Sequence, residues 1–225
     1  MPEPISTELT PLHMNGGGEM NAYAAWPTSP GKHPAIAVIQ EAWGLTPDIR
    51  DIVERFARLG FAAVSPDLYH GRNFNALDDA RAFNATADMA ERNRMVDEAA
   101  TWLTERSFAA GPQFGIVGFC MGGAFALMTA SRNPNVAACV SFYGGIRENP
   151  DEAASKIKAP VLAFHGSDEL ERGTQLKDLL QKHGKSVELH IYDGARHGFF
   201  NRTKMAVHHN AASYDAWTRS IDFFR

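Results

Sequence analysis

Short apolar segments alternate along this chain with longer segments in which apolar residues recur every three or four positions. The segments AIAVIQ, FAAVSPDL and QFGIVGF are largely apolar, which is typical of strands buried on both faces of a sheet. Between the first two, Ile49, Ile52 and Phe56 recur at helical spacing, and Gly60 predicts where that helix ends. The pattern therefore predicts strand, helix and strand in succession over this part of the chain.

The same alternation continues to the end of the chain. An early strand is predicted at EMNAYAAW, a helical segment over residues 76–106, and a helix at MGGAFALMTASRN. Three further strands are predicted at VAACVSFYG, APVLAFHG and SVELHIYDG, and a terminal amphipathic helix at AASYDAWTRSIDFF. This alternation predicts an α/β protein with a mostly parallel central sheet and helices on both faces. Because no repeat or linker divides the chain, residues 1–225 are expected to form a single domain.

Composition and charge narrow the classes of function. The formal net charge of −4 at pH 7 argues against a nucleic-acid or anionic-membrane partner. No apolar segment approaches the roughly 18 residues that a membrane span needs, and the first 20 residues lack a signal-peptide pattern, so a cytoplasmic location is expected. Two cysteines cannot build a cysteine-rich zinc site, and Cys139, within a predicted strand, is expected to be a buried, inert thiol.

Chemistry is expected at the ends of the predicted strands, because ligands of parallel sheets bind beyond the carboxyl ends of the strands. The ionisable and nucleophilic residues found there include Glu41, Asp67, His70, Cys120, Tyr143, Asp168 and His197. The sequence GFCMGG over residues 118–123 has the spacing of a G-x-S-x-G nucleophile elbow, with cysteine in place of serine. Taken alone, this motif fits either a catalytic cysteine or a glycine-rich turn around an ordinary small residue.

Three groups occur in an order that favours the catalytic interpretation. Cys120, Asp168 and His197 follow one another as nucleophile, acid and histidine, which is the order that α/β-hydrolases use. Each of them comes after a predicted strand. His165 is a rival base, but it lies at the end of its own strand and is expected to pack inward. The sequence therefore predicts a hydrolase with a cysteine nucleophile.

The elbow also predicts where an oxyanion would be held. The amide of Met121, at the start of the helix after Cys120, is predicted to be one donor. The amide of Ala42, in the loop after AIAVIQ, is predicted to be the second. The Gly-rich turn and the start of the following helix would thus hold both the nucleophile and the charge that develops on the substrate.

A set of short motifs resembles the dienelactone hydrolase (carboxymethylenebutenolidase) family of α/β-hydrolases. The motifs are QEAWG, SPDLYHG, GFCMGGAFAL, FYGG, HGSDE, YDGARHGFFN and AWTRSIDFF, and the resemblance runs from about Ile36 to the C-terminus. It implies an α/β-hydrolase fold and a Cys-Asp-His triad that carries over to Cys120, Asp168 and His197. The glutamate of the family's QE motif carries over to Glu41, where it is implied to hydrogen-bond the resting thiol and to take part in its activation.

The resemblance implies acyl transfer through a thioester, with a small-molecule ester or lactone as substrate. A substrate carboxylate would be bound by arginines, for which Arg72 and Arg81 are candidates before the elbow. Arg202 is a candidate after the histidine, one position further along than the family pattern leads us to expect. Aromatic candidates for the pocket, each equally compatible with core packing, are Trp43, Tyr69, Phe83, Tyr143 and Phe199.

Two other functions stay open on the sequence. A thioesterase would use the same residues with a pocket of different length. A non-enzymatic ligand receptor or redox sensor would use the fold and a reactive cysteine without turnover. No cofactor is implied, because the chain has neither a dinucleotide-binding nor a phosphate-loop motif, and His208 and His209 alone do not make a metal site. No nucleic-acid or membrane partner is expected, and the resemblance implies a monomer.

Overall fold

The structure is a computed structural model that describes residues 3–15 and 17–225. Its chain divides into two compact units, one ending at Gly115 and the other running from Ile116 to Arg225. Among the described residues, eight strands belong to one sheet, and the directions of five of its strand pairs are given below. The predicted α/β fold with a mostly parallel sheet is confirmed, whereas a single domain over residues 1–225 stays a prediction.

The first unit combines an antiparallel edge with a parallel pair. Its strand order is β1-β2-β4-β3, in which β1–β2 and β2–β4 are antiparallel and β3–β4 is parallel. Helix α1 begins with a proline in its first turn and buries its apolar stripe, as its spacing predicts. The elements are β1 (Ile5–His13), β2 (Glu19–Pro27), β3 (His33–Ile39), α1 (Pro47–Ala57), β4 (Ala62–Pro66), α2 (Leu77–Ala85) and α3 (Met89–Thr104).

The second unit is a parallel α/β arrangement. Strand β5 (Ala109–Phe119) begins in the first unit and ends in the second, where the strand order is β5-β6-β7-β8 and β6, β7 and β8 are parallel. No helix in the described part of the chain is both long and apolar enough to cross a membrane. The remaining elements are α4 (Met121–Arg132), β6 (Val136–Phe142), α5 (Pro150–Lys156), β7 (Val161–Gly166), α6 (Leu170–Lys182), β8 (Val187–Tyr192) and α7 (Asn210–Phe224).

The structure differs from the predicted elements in two places. The hydrophobic pattern does not predict β1, because this edge strand is largely exposed and pairs along one side only, with β2. The helical segment over residues 76–106 forms two helices, α2 and α3. Asp88 separates them, since its carboxylate accepts hydrogen bonds from the amides of Ala90 and Glu91 and so caps the start of α3.

An aromatic cluster fixes the ends of the strands in the second unit. The ring of Phe142 on β6 lies 4.7 Å from that of Phe119 on β5, 4.8 Å from that of Phe164 on β7 and 4.9 Å from that of Phe200. All four side chains are buried. Burial of one such ring stabilises the fold by about 1.5–3 kcal/mol. The turns that follow β5 and β7 therefore start from a rigid base.

Candidate active site

Cys120 occupies the turn between β5, which ends at Phe119, and α4, which begins at Met121. Its φ of 55° and ψ of −113° are unfavourable for a residue that carries a side chain. Two hydrogen bonds hold the turn, from the Cys120 amide to the Phe142 carbonyl at 3.0 Å and from the Gly123 amide to the Cys120 carbonyl at 3.1 Å. A strained turn between strand and helix that presents a sulfur atom has the geometry of a nucleophile elbow.

The glycines around Cys120 are required by the close approach of the backbone segments. A Cβ atom at Gly118 would overlap the carbonyl of Gly122. A Cβ atom at Gly123 would lie 2.8 Å from Oγ of Ser141, nearer than real Cβ atoms come to other heavy atoms. A side chain is therefore excluded at Gly118, the first glycine of the motif, and at Gly123, the residue after its second glycine.

We expect Gly118→Ala to destabilise the fold by at least about 3 kcal/mol, because the added methyl group meets backbone atoms that cannot move away. Urea unfolding followed by circular dichroism measures the effect. Gly145→Ala is the matched control, since a Cβ atom there has no neighbour within 4 Å. Equal unfolding midpoints for Gly118→Ala and the wild type would contradict the close approach described here.

The imidazole of His197 lies against the sulfur of Cys120. Nε2 of His197 is 3.1 Å from Sγ of Cys120, and the ring of Tyr143 packs beside the imidazole with centroids 4.9 Å apart. Burial lowers the pKa of His197, but the hydrogen bonds and charges of Cys120 and Glu169 outweigh burial and raise this pKa to about 10. The imidazole is therefore placed to accept a proton from the thiol and to hold it.

The carboxylate beside this imidazole belongs to Glu169, and the structure does not bring Asp168, the predicted acid, to the ring. Nδ1 of His197 is 2.9 Å from Oε1 of Glu169, whose side chain is almost fully buried. Strand β7 ends at Gly166, and a 3-10 turn over Ser167–Glu169 follows it. This tight turn directs the second of the two adjacent carboxylates inward, and no feature of the hydrophobic pattern indicates such a turn.

Asp168 contacts the backbone of His197 instead of its ring. Both carboxylate oxygens accept from the His197 amide, at 3.1 and 3.2 Å, and Oδ2 lies 3.9 Å from Nε of Arg196. The Asp168 side chain is 38% exposed, so water reaches it. Asp168 therefore holds the backbone of the loop that carries His197, while Glu169 contacts the imidazole ring itself.

Three basic side chains lie next to the carboxylate of Glu169. Its Oε1 contacts His197 and Nη1 of Arg172, and its Oε2 lies 3.5 Å from Nδ1 of His165. Burial raises the pKa of Glu169, but the neighbouring imidazoles of His165 and His197 outweigh burial and lower this pKa to about 2. The carboxylate is thus ionised at neutral pH. Within residues 3–15 and 17–225, no group of three or more histidine, cysteine, aspartate or glutamate side chains is placed to hold a metal ion.

The other predicted site residues of the second unit have different surroundings. Met121 is the first residue of α4. Tyr143 and Phe199 are buried with ring centroids 5.5 Å apart. Tyr143 therefore borders the imidazole of His197, and Phe199 supports Tyr143. Arg202 is exposed in the loop before α7.

Six predicted site residues lie in the first unit: Glu41, Ala42, Trp43, Tyr69, Arg72 and Arg81. Glu41 lies in the loop after β3, and this residue is only 5% exposed. The loop after β3 is joined to the loop after β4, because the Phe74 amide donates to the Trp43 carbonyl at 3.0 Å. Gly44 has a φ of 100° and packs against the backbone of Arg72, so a side chain at this position is excluded.

A cluster of aromatic rings and arginines lies beside these loops in the first unit. Tyr69 and Phe83 pack with centroids 5.0 Å apart, and the buried Arg92 lies over the Tyr69 ring at 4.8 Å. The guanidinium of Arg72 is 5.4 Å from the centroid of Phe83, whereas Arg81 is exposed in an ion pair within α2. The sequence does not indicate that Arg92 is buried, because an arginine within a helix is typical of an exposed polar position.

Three comparisons relate the chain to known proteins. The model of the family described as "Dienelactone hydrolase family" matches residues 20–225. Protein usf of Aquifex pyrophilus is 32% identical over 223 residues, covering 93% of this chain and 94% of that protein. The carboxymethylenebutenolidase of Rhodococcus opacus is 31% identical over 241 residues, covering 97% and 94%. The crystal structure of a candidate dienelactone hydrolase from Klebsiella pneumoniae superposes with a TM-score of 0.90, at 25% identity and with 99% of both chains covered.

Proposed function

Because this chain belongs to the dienelactone hydrolase family and is a hydrolase of the ester or lactone type, we propose that it acts through a thioester on Cys120. His197 is the proposed base and acid, and Glu169 is the proposed carboxylate that orients it. One observation carries this assignment, namely the continuous series of contacts from Sγ to Nε2 at 3.1 Å and from Nδ1 to Oε1 at 2.9 Å. All three side chains follow strands of the second unit.

The proposed reaction passes one proton back and forth at Nε2 of His197. Sγ of Cys120 attacks the substrate carbonyl while Nε2 takes the thiol proton, so that a C–S bond and an oxyanion form. As the carbonyl re-forms, the C–O bond to the alcohol breaks and Nε2 protonates the departing oxygen. Water then attacks the thioester with Nε2 as base, the C–S bond breaks, and the proton returns to the sulfur as the carboxylic product leaves. The Glu169 carboxylate stabilises the imidazolium in both halves.

The oxyanion is proposed to form at the start of α4. Met121 begins this helix of 12 residues, so the positive end of the helix dipole lies next to Cys120. The amide of Met121 is the proposed first donor, and the amide of Ala42 after β3 is the proposed second donor. Loss of one donor from such a pair lowers kcat about 100- to 1,000-fold.

The proposed substrate class is an enol lactone or an ester whose alcohol leaves easily. A thiolate is itself a good leaving group, so an intermediate with a poor alcohol would expel the sulfur and return to substrate. The name carboxymethylenebutenolidase, given to the Rhodococcus opacus relative, supports a butenolide lactone as the first substrate to try. Arg72, Arg81 and Arg202 are the proposed partners of a substrate carboxylate, and Trp43 and Tyr69 the proposed aromatic lining.

The experiment that tests this proposal combines turnover with trapping of the intermediate. The wild type is assayed with a dienelactone, p-nitrophenyl acetate and an acyl thioester, and acid-quenched samples are digested and weighed by mass spectrometry. We expect many turnovers, fastest with the dienelactone, and an acyl group on the peptide that contains Cys120. Turnover of the thioester alone would move the substrate class to thioesters. An acyl group on another residue would refute the proposed nucleophile.

The resemblance to the family also leads us to propose that Glu41 restrains the thiol of Cys120 in the resting enzyme. A nearby carboxylate disfavours a thiolate, so Glu41→Gln should speed the alkylation of Cys120 by iodoacetamide about 10-fold. The alkylation rate is measured at pH 7 by mass spectrometry. Glu8→Gln, an exposed glutamate on β1, is the control and should react like the wild type. Equal rates for Glu41→Gln and the wild type would remove this role.

A further inference from the structure

His165 is a buried histidine in contact with the carboxylate of Glu169. It is the last residue but one of β7 and has no exposed surface, and its Nδ1 lies 3.5 Å from Oε2 of Glu169. The mechanism described above uses Oε1 of Glu169, which leaves Oε2 and His165 without a role. A fully buried imidazole next to the proposed catalytic carboxylate of Glu169 calls for a physical explanation.

The polar atoms of this contact have no better partners. In the part of the chain that the structure describes, both ring nitrogens of His165 and Oε2 of Glu169 are buried and lack a hydrogen bond of good geometry. A separation of 3.5 Å is somewhat longer than a normal hydrogen bond, so a shift of a few tenths of an ångström would pair Nδ1 with Oε2. Because burial of unpaired polar atoms is unfavourable, this pairing is the one that the buried atoms favour.

Helix α6 makes room for the imidazole of His165 through a glycine. Gly173 lies inside α6, where glycine is an unfavourable helix residue. A Cβ atom there would lie 3.1 Å from Cδ2 and 3.2 Å from Cγ of His165, and 2.9 Å from Cδ1 of Ile191. The helix backbone therefore packs directly on the ring and restricts its movement.

We propose that His165 is a positioning residue for the hydrolysis proposed above, on which this inference rests: Nδ1–H of His165 holds Oε2 of Glu169, so that Oε1 stays directed at Nδ1 of His197. A carboxylate held at one oxygen can rotate about its last carbon–carbon bond, and a second contact removes this freedom. Arg172 also contacts Oε1, but its side chain is half exposed and water competes with it. His165 is the partner that water does not reach. The low pKa of Glu169, to which His165 contributes against burial, agrees with this contact.

Three variants test the proposal. His165→Phe keeps a planar ring and removes both nitrogens, whereas His165→Asn can place its amide nitrogen where Nδ1 lies. His190→Phe is the matched control, because His190 lies on the neighbouring strand β8 and contacts Glu188. Each variant is assayed for kcat and KM, for alkylation of Cys120 by iodoacetamide, and for the far-downfield proton NMR signal of Nδ1–H in His197. Thermal unfolding reports on the fold.

We expect His165→Phe to lower kcat about 10- to 100-fold and to leave KM nearly unchanged, because a misdirected base slows proton transfer without affecting binding. Alkylation of Cys120 should slow, and the NMR signal should be lost. His165→Asn should recover most of the rate and the signal, and His190→Phe should behave like the wild type. A histidine that only packs the core would change the unfolding temperature alone.

An unchanged kcat and NMR signal in His165→Phe would overturn the proposal, as would an Asn variant that is as slow as the Phe variant. If His165→Phe does not fold, Gly173→Ala replaces it, because alanine favours the helix and presses on the imidazole. An unchanged kcat in Gly173→Ala would then be the contrary result. Alkylation and NMR need no ester turnover. A failure of the proposed hydrolysis would therefore appear as absent turnover while both readouts still respond to His165.

Discussion

Cys120→Ala should lower kcat/KM for the preferred ester by at least about 10,000-fold, because the variant cannot form the proposed thioester. The backbone of the elbow is kept, since alanine differs from cysteine only by the sulfur, so the variant should fold. The measurement is steady-state hydrolysis of the preferred ester, with enzyme concentration raised until the residual rate is visible. This residual rate reports what His197 and the oxyanion donors achieve with water alone.

Cys139→Ala is the matched control for the loss of a thiol. Cys139 is fully buried on β6, and burial raises the pKa of its thiol, so it is unreactive at neutral pH. We expect iodoacetamide to inactivate the wild type and Cys139→Ala at the same rate. If Cys120→Ala retained turnover at more than a few per cent of the wild type, another group would have to be the nucleophile.

The second largest effect is expected from Glu169→Gln, which should lower kcat about 1,000- to 10,000-fold. The amide keeps the size of the side chain but loses the charge that stabilises the imidazolium. It also presents an NH2 group to Nδ1, which favours the wrong tautomer of His197. The negative charge contributes to the raised pKa of His197, so this pKa should fall from about 10 towards its ordinary value. Steady-state kinetics and an NMR titration of the His197 ring measure the two effects.

Asp168→Asn is the comparison that separates the two adjacent carboxylates. Its amide oxygen can still accept from the His197 amide, so we expect a loss of no more than about 10-fold in kcat and an unchanged pKa of His197. The opposite ranking, with Asp168→Asn nearly inactive and Glu169→Gln nearly normal, would return the orienting role to Asp168. The two variants together therefore decide whether Asp168 or Glu169 is the carboxylate that orients the imidazole of His197.

The sequence predicts that Cys120 and His197 each follow a strand and meet in one site, and the structure places Nε2 of His197 3.1 Å from Sγ of Cys120. Their catalytic roles stay predictions. The elbow needs glycines at Gly118 and Gly123, where a Cβ atom would collide with backbone or side-chain atoms. Strand and helix periodicity then locates the turns that carry the reactive groups. Family membership and the similarity to a carboxymethylenebutenolidase support an enzyme rather than the non-enzymatic receptor that the sequence leaves open.

The sequence fails where a single tight turn decides the direction of a side chain. Asp168 and Glu169 are adjacent acids, and only the 3-10 turn after β7 shows which of them faces His197. The hydrophobic pattern likewise does not indicate the break between α2 and α3, because the cap at Asp88 depends on local backbone geometry rather than on apolar spacing. Candidates in the first unit, such as Glu41 and Arg72, rest on the family resemblance and stay predictions.

The backbone of Cys120 has a consequence for the evolution of this chain. A left-handed conformation costs on the order of 1–3 kcal/mol at a residue with a side chain, which is a sizeable share of the stability of a folded domain. Glycine would relieve this strain but has no sulfur. Selection for a more robust protein and selection for a reactive one therefore act in opposite directions at this one residue. Cys120, as the proposed nucleophile, retains this strain, and the buried rings of Phe119 and Phe142 next to the elbow contribute stability that offsets it.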